Sequence, residues 1–236
     1  MATSTLSTGR STKTSSILLK TTMALSGLIF VGYIVAHMYG NLKIFAGTEA
    51  FNEYAEHLRE LGEPILPYEG LLWIIRVVLV ASLFVHAYAA YSLWLRAGSA
   101  RKTRYVVTAA ARQLWVSRAM RWGGTALLLF IVFHILHFTT NTLKLNGDYA
   151  DPASRLVSSF ELWWAVGIYA LAVLALGMHL WHGIWAAGMT LGLNTSAKAA
   201  QALHSVAAVT AVVVVIGFLA PPFAILFGFV PSGFTS

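Results

Sequence analysis

The sequence of 236 residues contains no cysteine. This absence excludes disulfide bonds, thiolate ligands for iron–sulfur clusters within the chain, and covalent haem attachment through a CxxCH motif. Any redox centre that this chain holds must therefore use histidine, methionine or oxygen ligands.

Charged residues are also scarce: they make up 11% of the chain, whereas 58% of it is hydrophobic. Soluble domains carry about 25% charged residues, and a membrane-spanning helix needs about 20 mostly apolar residues. The composition therefore predicts an all-α, polytopic membrane protein. The apolar segments predict five spans, at residues 18–45, 71–95, 122–143, 160–191 and 205–230.

The two ends of the chain lie outside these spans. Residues 1–17 are largely polar and free of acids, and the apolar run behind them is too long for a signal peptide and lacks a clear cleavage site. We expect an uncleaved cytoplasmic arm at residues 1–17, a membrane domain over residues 18–230, and a short outer tail at residues 231–236.

Acidic residues are absent from the middle of every predicted span. All nine lie in or beside the connection between the first and second spans or that between the third and fourth, whereas eleven Lys and Arg residues lie on the opposite side and four on the acidic side. Because Lys and Arg collect in cytoplasmic loops, this pattern predicts a cytoplasmic N-terminus and an outer C-terminus. The net charge of +7 then reflects topology rather than nucleic-acid binding.

The strongly basic connection between the second and third spans has two interpretations. It is the topogenic signal and contacts anionic lipid, or it is a docking face for a soluble cytoplasmic partner. Charge alone favours the first.

Histidines occur inside the first four spans, where ionisable residues usually mark functional sites. At 1.5 Å per helical residue, His37 and His134 lie about 9–15 Å from the nearest outer charge, and His86 and His179 about 25–27 Å. Two histidines at one depth on different helices can ligate one iron from opposite sides, and neutral imidazoles need no counter-charge in an apolar interior. The pattern predicts two bis-histidine haems b.

Two HxxH spacings leave the axial ligands open at this point. Residues three apart share a helix face, so His134 and His137, or His179 and His182, can address one pocket. Depth slightly favours His179 over His182, but His137 suits the outer pair about as well as His134.

Other uses of intramembrane histidines are hydrogen-bonded packing, proton relay and zinc or dimetal binding. Metal sites in helix bundles rely on carboxylates, and every acid of this chain lies in or beside an outer loop. A histidine-dependent transporter or proton channel would need intramembrane carboxylates at mid-depth, which the predicted spans lack. Haem is therefore the favoured ligand.

Four segments carry a resemblance to a known family. They are AHMYGNLKIFAGTEAFN (36–52), VHAYAAYSLWL (85–95), RWGGTALLLFIVFHILHF (121–138) and MHLWHGIWAAGMTLG (178–192). Together they resemble the five-helix, di-haem cytochrome b membrane anchor of succinate:quinone oxidoreductases, the single-anchor type of succinate dehydrogenases and related fumarate reductases. The resemblance covers essentially the whole chain after residue 17.

The resemblance implies the haem ligands. The family joins its first and third spans at the distal haem and its second and fourth at the proximal haem, which implies His37 with His134 and His86 with His179. His137 and His182 are extra histidines relative to the family pattern, and we assign them to propionates or to proton relay.

Further candidates surround these histidines. Arg121, Lys20 and Arg76 are candidate partners of the haem propionates, although Arg76 is as well explained by snorkelling to the outer interface. Candidates for a quinone site near the distal haem are Glu69 and Tyr68, with Glu63 just before them.

The resemblance also implies partners and location. A flavoprotein and an iron–sulfur subunit would dock on the cytoplasmic face, and electrons would pass through both haems to a membrane quinone, with menaquinone expected. The location is the bacterial cytoplasmic membrane, and a higher oligomer is compatible with it. The alternative is a haem b subunit of a formate dehydrogenase or hydrogenase, which shares the chemistry but has a different partner.

Overall fold

The computed structural model describes residues 14–99, 108–147 and 150–230, and within them it is helical and contains no strand. The described α-helices are α1 (Ser16–Leu42), α2 (Thr48–Glu60), α3 (Gly70–Ser99), α4 (Thr108–His134), α5 (Pro152–Phe160), α6 (Trp163–Thr190) and α7 (Ala197–Leu226). Five segments are long and apolar enough to cross a membrane: Ser16–Ala46, Gly70–Gly98, Arg118–Thr139, Trp163–Thr190 and Ala197–Leu226. The predicted fold class, an all-α protein with five spans, is confirmed.

Three predicted features lie wholly or partly outside the described residues. They are the N-terminal arm, of which only residues 14–17 are described, the centre of the basic connection at residues 101–107, and the outer tail at residues 231–236.

The predicted fourth span, 160–191, was too long at its start. A separate helix, α5, precedes the span: Asp151 accepts a hydrogen bond from Ser154 N (2.9 Å), and Pro152 occupies the first turn of this helix. Helix α5 ends at Phe160, and α6 begins only at Trp163. Every residue of α5 is buried or half-buried, including Leu156 and Val157, so this segment packs as an enclosed helix of its own.

The predicted fifth span, 205–230, begins eight residues earlier than expected. Ser196 caps α7 by accepting a hydrogen bond from Ala199 N (3.1 Å), and the helix then continues through Pro221 and Pro222. It ends where Gly228 adopts a φ of +74°, a conformation that glycine takes without steric cost.

The third span ends in a π-helical turn, Ile135–Thr139, rather than continuing to residue 143. Thr140 N donates to Ile135 O (2.9 Å), the i to i+5 bond of a wider helix. Such turns are rare and frequently occur at functional sites. Here the wider turn contains His137 and follows His134 directly.

Helices α2 and α5 lie at one end of the bundle, which we call the acidic end. Asn52 of α2 donates to Asp151 Oδ1 (2.8 Å) and accepts from Ala153 N (3.0 Å), which joins the two helices. Burial opposes ionisation of Asp151, but the hydrogen bonds from Ser154 and Asn52 outweigh it and hold the pKa of this carboxyl below its usual value. At the opposite end, the basic end, Arg96 donates to Ser16 Oγ (3.0 Å).

Helices α6 and α7 are the most closely packed pair of helices in the described residues, and α1 packs against α3, α6 and α7. Glycines permit these approaches: Gly188 faces Leu203, Gly177 faces Val215, and Gly217 faces the Met38 side chain. Helix α4 packs mainly against α6. Neither the α1–α4 pair nor the α3–α6 pair belongs to the closely packed helix pairs of the described residues.

Candidate functional site: two cross-helix histidine pairs

The first histidine pair joins α3 to α6 in the half of the bundle toward the basic end. The ring centroids of His86 and His179 are 6.2 Å apart, with an interplanar angle of 61°. Two glycines back these rings: a Cβ at Gly27 would lie 3.2 Å from His86 Cε1, and one at Gly124 would lie 3.3 Å from His179 Cε1. All four histidine-bearing helices therefore shape this site.

The hydrogen bond of His86 fixes its tautomer. His86 Nδ1 lies 3.0 Å from Met23 O, with Ser26 Oγ also within 3.3 Å. Because a carbonyl only accepts, Nδ1 carries the proton and Nε2 keeps its lone pair, which is the usual arrangement of a metal-binding histidine. His179 Nδ1 is buried and has no hydrogen-bond partner among the described residues.

The second pair joins α1 to α4 toward the acidic end. The ring centroids of His37 and His134 are 5.8 Å apart at an interplanar angle of 80°. His37 stacks on Tyr33 at 5.4 Å and 9°. Its Nε2 lies 3.5 Å from Asn41 Nδ2, an amide donor that also donates to His37 O (2.8 Å), so Nε2 is the acceptor in this contact.

The two pairs lie at different depths. Three helices each place one residue at the level of each histidine pair, and on each helix these two residues are ten positions apart. They are Gly27 and His37 on α1, Gly124 and His134 on α4, and Tyr169 and His179 on α6. Ten helical residues rise about 15 Å. The structure thus stacks two histidine pairs along the bundle axis.

His137 differs from the four paired histidines, because both of its ring nitrogens are hydrogen-bonded. It is 1% exposed, with Nδ1 2.8 Å from Tyr169 Oη and Nε2 2.9 Å from Ser159 Oγ. Tyr169 Oη also lies 3.4 Å from His134 Nδ1. The structure therefore places His134 against His37 and places His137 behind His134.

His182 lies one turn beyond His179 on α6, toward the basic end. It is half-buried, and its ring is 6.1 Å from the ring of Trp185. The histidine of α6 that meets His86 is His179.

The three candidate propionate partners are divided between the two ends of the bundle. Arg76 is 3.8 Å from Glu69 and 4.8 Å from the centre of the Trp73 ring, toward the acidic end. Arg121 lies 5.5 Å from the Trp94 ring near the basic end, and Lys20 is exposed at the start of α1.

The quinone candidates belong to an ionic cluster at the acidic end. Tyr68 donates to Glu56 Oε1 (2.6 Å), and Arg59 contacts both Glu56 (2.9 Å) and Glu69 (3.3 Å). The hydrogen bond from Tyr68 lowers the pKa of Glu56 and raises that of Tyr68. Glu63 is exposed.

The histidine pairs suit a metal that takes only two ligands from the protein. With metal–nitrogen bonds of about 2 Å, two imidazoles on opposite sides of one metal have ring centres about 6 Å apart. No group of three or more His, Asp or Glu side chains suited to a metal ion occurs among the described residues. In a haem, the macrocycle supplies the other four ligands, so pairs suffice. All four rings are partly exposed, and the helices that carry each pair are not in close contact.

Sequence reasoning missed the groups that orient these rings. The Met23 carbonyl, the Tyr169 hydroxyl and the Ser159 hydroxyl contact His86, His134 and His137 from other helices. The sequence contained one signal for Tyr169. This residue precedes His179 by ten residues, the same spacing that separates Gly27 from His37, and the spacing places it at the level of the other histidine pair.

No protein-family model, no curated protein and no solved structure matches this chain significantly.

Proposed function

We propose that this chain is the cytochrome b membrane anchor of a succinate:quinone oxidoreductase, and that it carries electrons through two bis-histidine haems b to a membrane quinone. The observation that carries the proposal is the stacking of two cross-helix histidine pairs, with ring centroids 5.8 and 6.2 Å apart, at two levels of a five-span bundle.

Each proposed ligand has a stated role. His86 and His179 would hold the iron of the proximal haem, toward the basic end, and His37 and His134 would hold that of the distal haem. The Met23 carbonyl holds the His86 ring with Nε2 free, and Gly27 and Gly124 leave room for the two proximal rings. Bound haem supplies one-electron redox chemistry, and the protein tunes it through axial ligands, burial and hydrogen bonds.

The proposal also includes the partner subunits and the membrane location that the family resemblance implies. The basic end faces the cytoplasm of a bacterial cell, where a flavoprotein and an iron–sulfur subunit dock. Menaquinone is the proposed electron acceptor, near the ionic cluster of Glu56, Arg59, Tyr68, Glu69 and Arg76. This cluster lies at the same end of the bundle as the pair of His37 and His134, which supports the placement.

The first experiment is a reduced-minus-oxidised visible spectrum of the purified chain, with haem quantified as the pyridine haemochrome. Two haems b per chain are expected. His134→Ala and His179→Ala should each lower the content to about one haem, because each removes one axial ligand of one site. His57→Ala is the matched control, since His57 lies exposed on α2, away from both pairs. A chain without haem overturns the proposal.

A second experiment identifies the partner. The chain is purified with its associated subunits from its native membrane, and the reduction of its haem b is followed after adding succinate, formate or hydrogen. Reduction by succinate alone supports the proposal. Reduction by formate or hydrogen assigns the chain to another respiratory complex with the same haem chemistry.

A further inference from the structure

Four side chains from three helices form a continuous hydrogen-bonded chain behind the distal pair. Its links are His134 Nδ1 to Tyr169 Oη (3.4 Å), Tyr169 Oη to His137 Nδ1 (2.8 Å), His137 Nε2 to Ser159 Oγ (2.9 Å), and Ser159 Oγ to the Arg155 carbonyl (2.6 Å). We call this set the Tyr169 relay. His137, Tyr169 and Ser159 are buried, so their polar groups need hydrogen-bond partners within the protein and find them in one another.

The direction of the relay follows from its last link. Two oxygens 2.6 Å apart must share a hydrogen, and the Arg155 carbonyl has none, so the Ser159 hydroxyl donates to it. Its single proton is then used, and Ser159 Oγ accepts from His137 Nε2–H. His137 is 1% exposed and has no acidic partner in the relay, so it is neutral and its Nδ1 is an acceptor.

The same reasoning extends to His134. The acceptor at His137 Nδ1 takes the proton of the Tyr169 hydroxyl. Tyr169 Oη can then only accept from His134, which places a proton on His134 Nδ1 and leaves Nε2 with its lone pair. We propose that Tyr169, His137 and Ser159 are positioning residues whose directional hydrogen bonds hold His134 in the tautomer that presents Nε2 to iron.

This inference rests on the proposed function for the role of Nε2, but the tautomer itself does not depend on bound haem. It also gives the buried histidine of the HxxH pair a purpose: His137 orients the ligand histidine through Tyr169 instead of binding metal. An acceptor on Nδ1–H makes an imidazole a more basic ligand, and a more basic ligand favours the ferric state.

The first test is nitrogen NMR of the full-length chain, labelled with ¹⁵N-histidine and produced without haem in detergent micelles. The His134 resonances are assigned by their loss in His134→Gln. We expect a protonated Nδ1 and an unprotonated Nε2, and we expect Tyr169→Phe to convert this single form into a mixture of tautomers. Tyr91→Phe is the control, because it removes a tyrosine hydroxyl hydrogen bond to Thr125 (2.8 Å) at another level of the bundle.

The second test is a redox titration of the haem-loaded chain. Tyr169→Phe retains a ring against Phe130 and Phe160, so we expect both haems to remain and the midpoint potential of only one of them to rise. Ser159→Ala should shift the same haem in the same direction, and Ser159→Thr should restore the original potential.

The two tests separate the inference from the proposed function. A His134 that carries its proton on Nε2, or tautomer and potential values unchanged in Tyr169→Phe, overturns the relay even if two haems are bound. A chain that binds no haem overturns the proposed function, while its nitrogen resonances still decide the direction of the relay.

Discussion

At the scale of single residues, glycines decide where the proximal histidine rings can lie. Gly124 backs His179, whereas a Cβ at the neighbouring Gly123 would meet no atom within 4 Å. We expect Gly124→Val to displace the His179 ring and, if the chain binds the two proposed haems, to halve its haem b content, because the proposed proximal site loses a ligand. Gly123→Val should keep both haems, and equal loss in both variants would contradict this role of Gly124. Pyridine haemochrome quantitation measures both variants.

A second prediction at this scale concerns pH. The Tyr68 hydroxyl donates to Glu56 and holds the pKa of that carboxyl below its ordinary value. A carboxyl with a depressed folded-state pKa contributes stability that is present above its unfolded pKa, about 4.3, and is lost as the pH falls through the folded pKa.

Tyr68→Phe should therefore raise the pKa of Glu56 toward its ordinary value, which a carboxyl-carbon NMR titration measures. Tyr54→Phe is the control, because Tyr54 lies on α2, the helix that carries Glu56, but its ring contacts Tyr39 and Lys43. A Glu56 midpoint that is the same in Tyr68→Phe and in the unsubstituted chain would show that this hydrogen bond does not set the pKa.

The sequence predicts the depth of a residue in the bundle, because that depth follows from the rise of its own helix. Depth is a local quantity, because each residue adds a fixed rise along its own helix, and the similar depths of His37 and His134 follow from their distances to nearby charges. Helical spacing left the choice between His134 and His137 open, because the contacts that separate their roles come from Tyr169 and Ser159, which approach from two other helices. The same applies to the Met23 carbonyl, 63 residues from His86.

At the scale of elements, helix α6, which carries His179, packs closely against α7. A Cβ at Gly188 would enter the Leu203 side chain, whereas one at Gly183, on the same helix, would meet nothing within 4 Å. We expect Gly188→Val to destabilise the bundle by about 1–3 kcal/mol through overpacking. Thermal unfolding in detergent should show a lower midpoint for Gly188→Val than for Gly183→Val, and equal midpoints would exclude a tight α6–α7 contact at this position.

Element boundaries show which parts of the fold hydropathy can predict. The five spans were predictable because each needs a long apolar run. The break between α5 and α6 was not, because it lies at Leu162, which leaves the helical conformation (φ −86°, ψ 110°) inside an apolar run. Helix α2 was likewise missed, since its sequence, TEAFNEYAEHLRE, is polar and lies in a connection.

At the scale of the whole molecule, the absence of cysteine makes the proposed orientation directly measurable. Glu53 lies exposed on α2 at the acidic end, and Thr14 lies exposed just before α1 at the basic end. In intact cells, a membrane-impermeant maleimide should label Glu53→Cys and leave Thr14→Cys unlabelled, because the basic end is proposed to face the cytoplasm. Both variants should react after solubilisation. Labelling of Thr14→Cys alone in intact cells would reverse the orientation.

The ten-residue offset between the two histidine pairs has an electrical consequence. It separates them by about 15 Å along the bundle, roughly half of a hydrocarbon layer about 30 Å thick. Moving one elementary charge across a whole membrane involves about 2.3 kcal/mol per 100 mV, so a charge that passes from one pair to the other crosses about half of that voltage drop. The membrane potential therefore acts on any electron exchange between the pairs, favouring one direction and opposing the other.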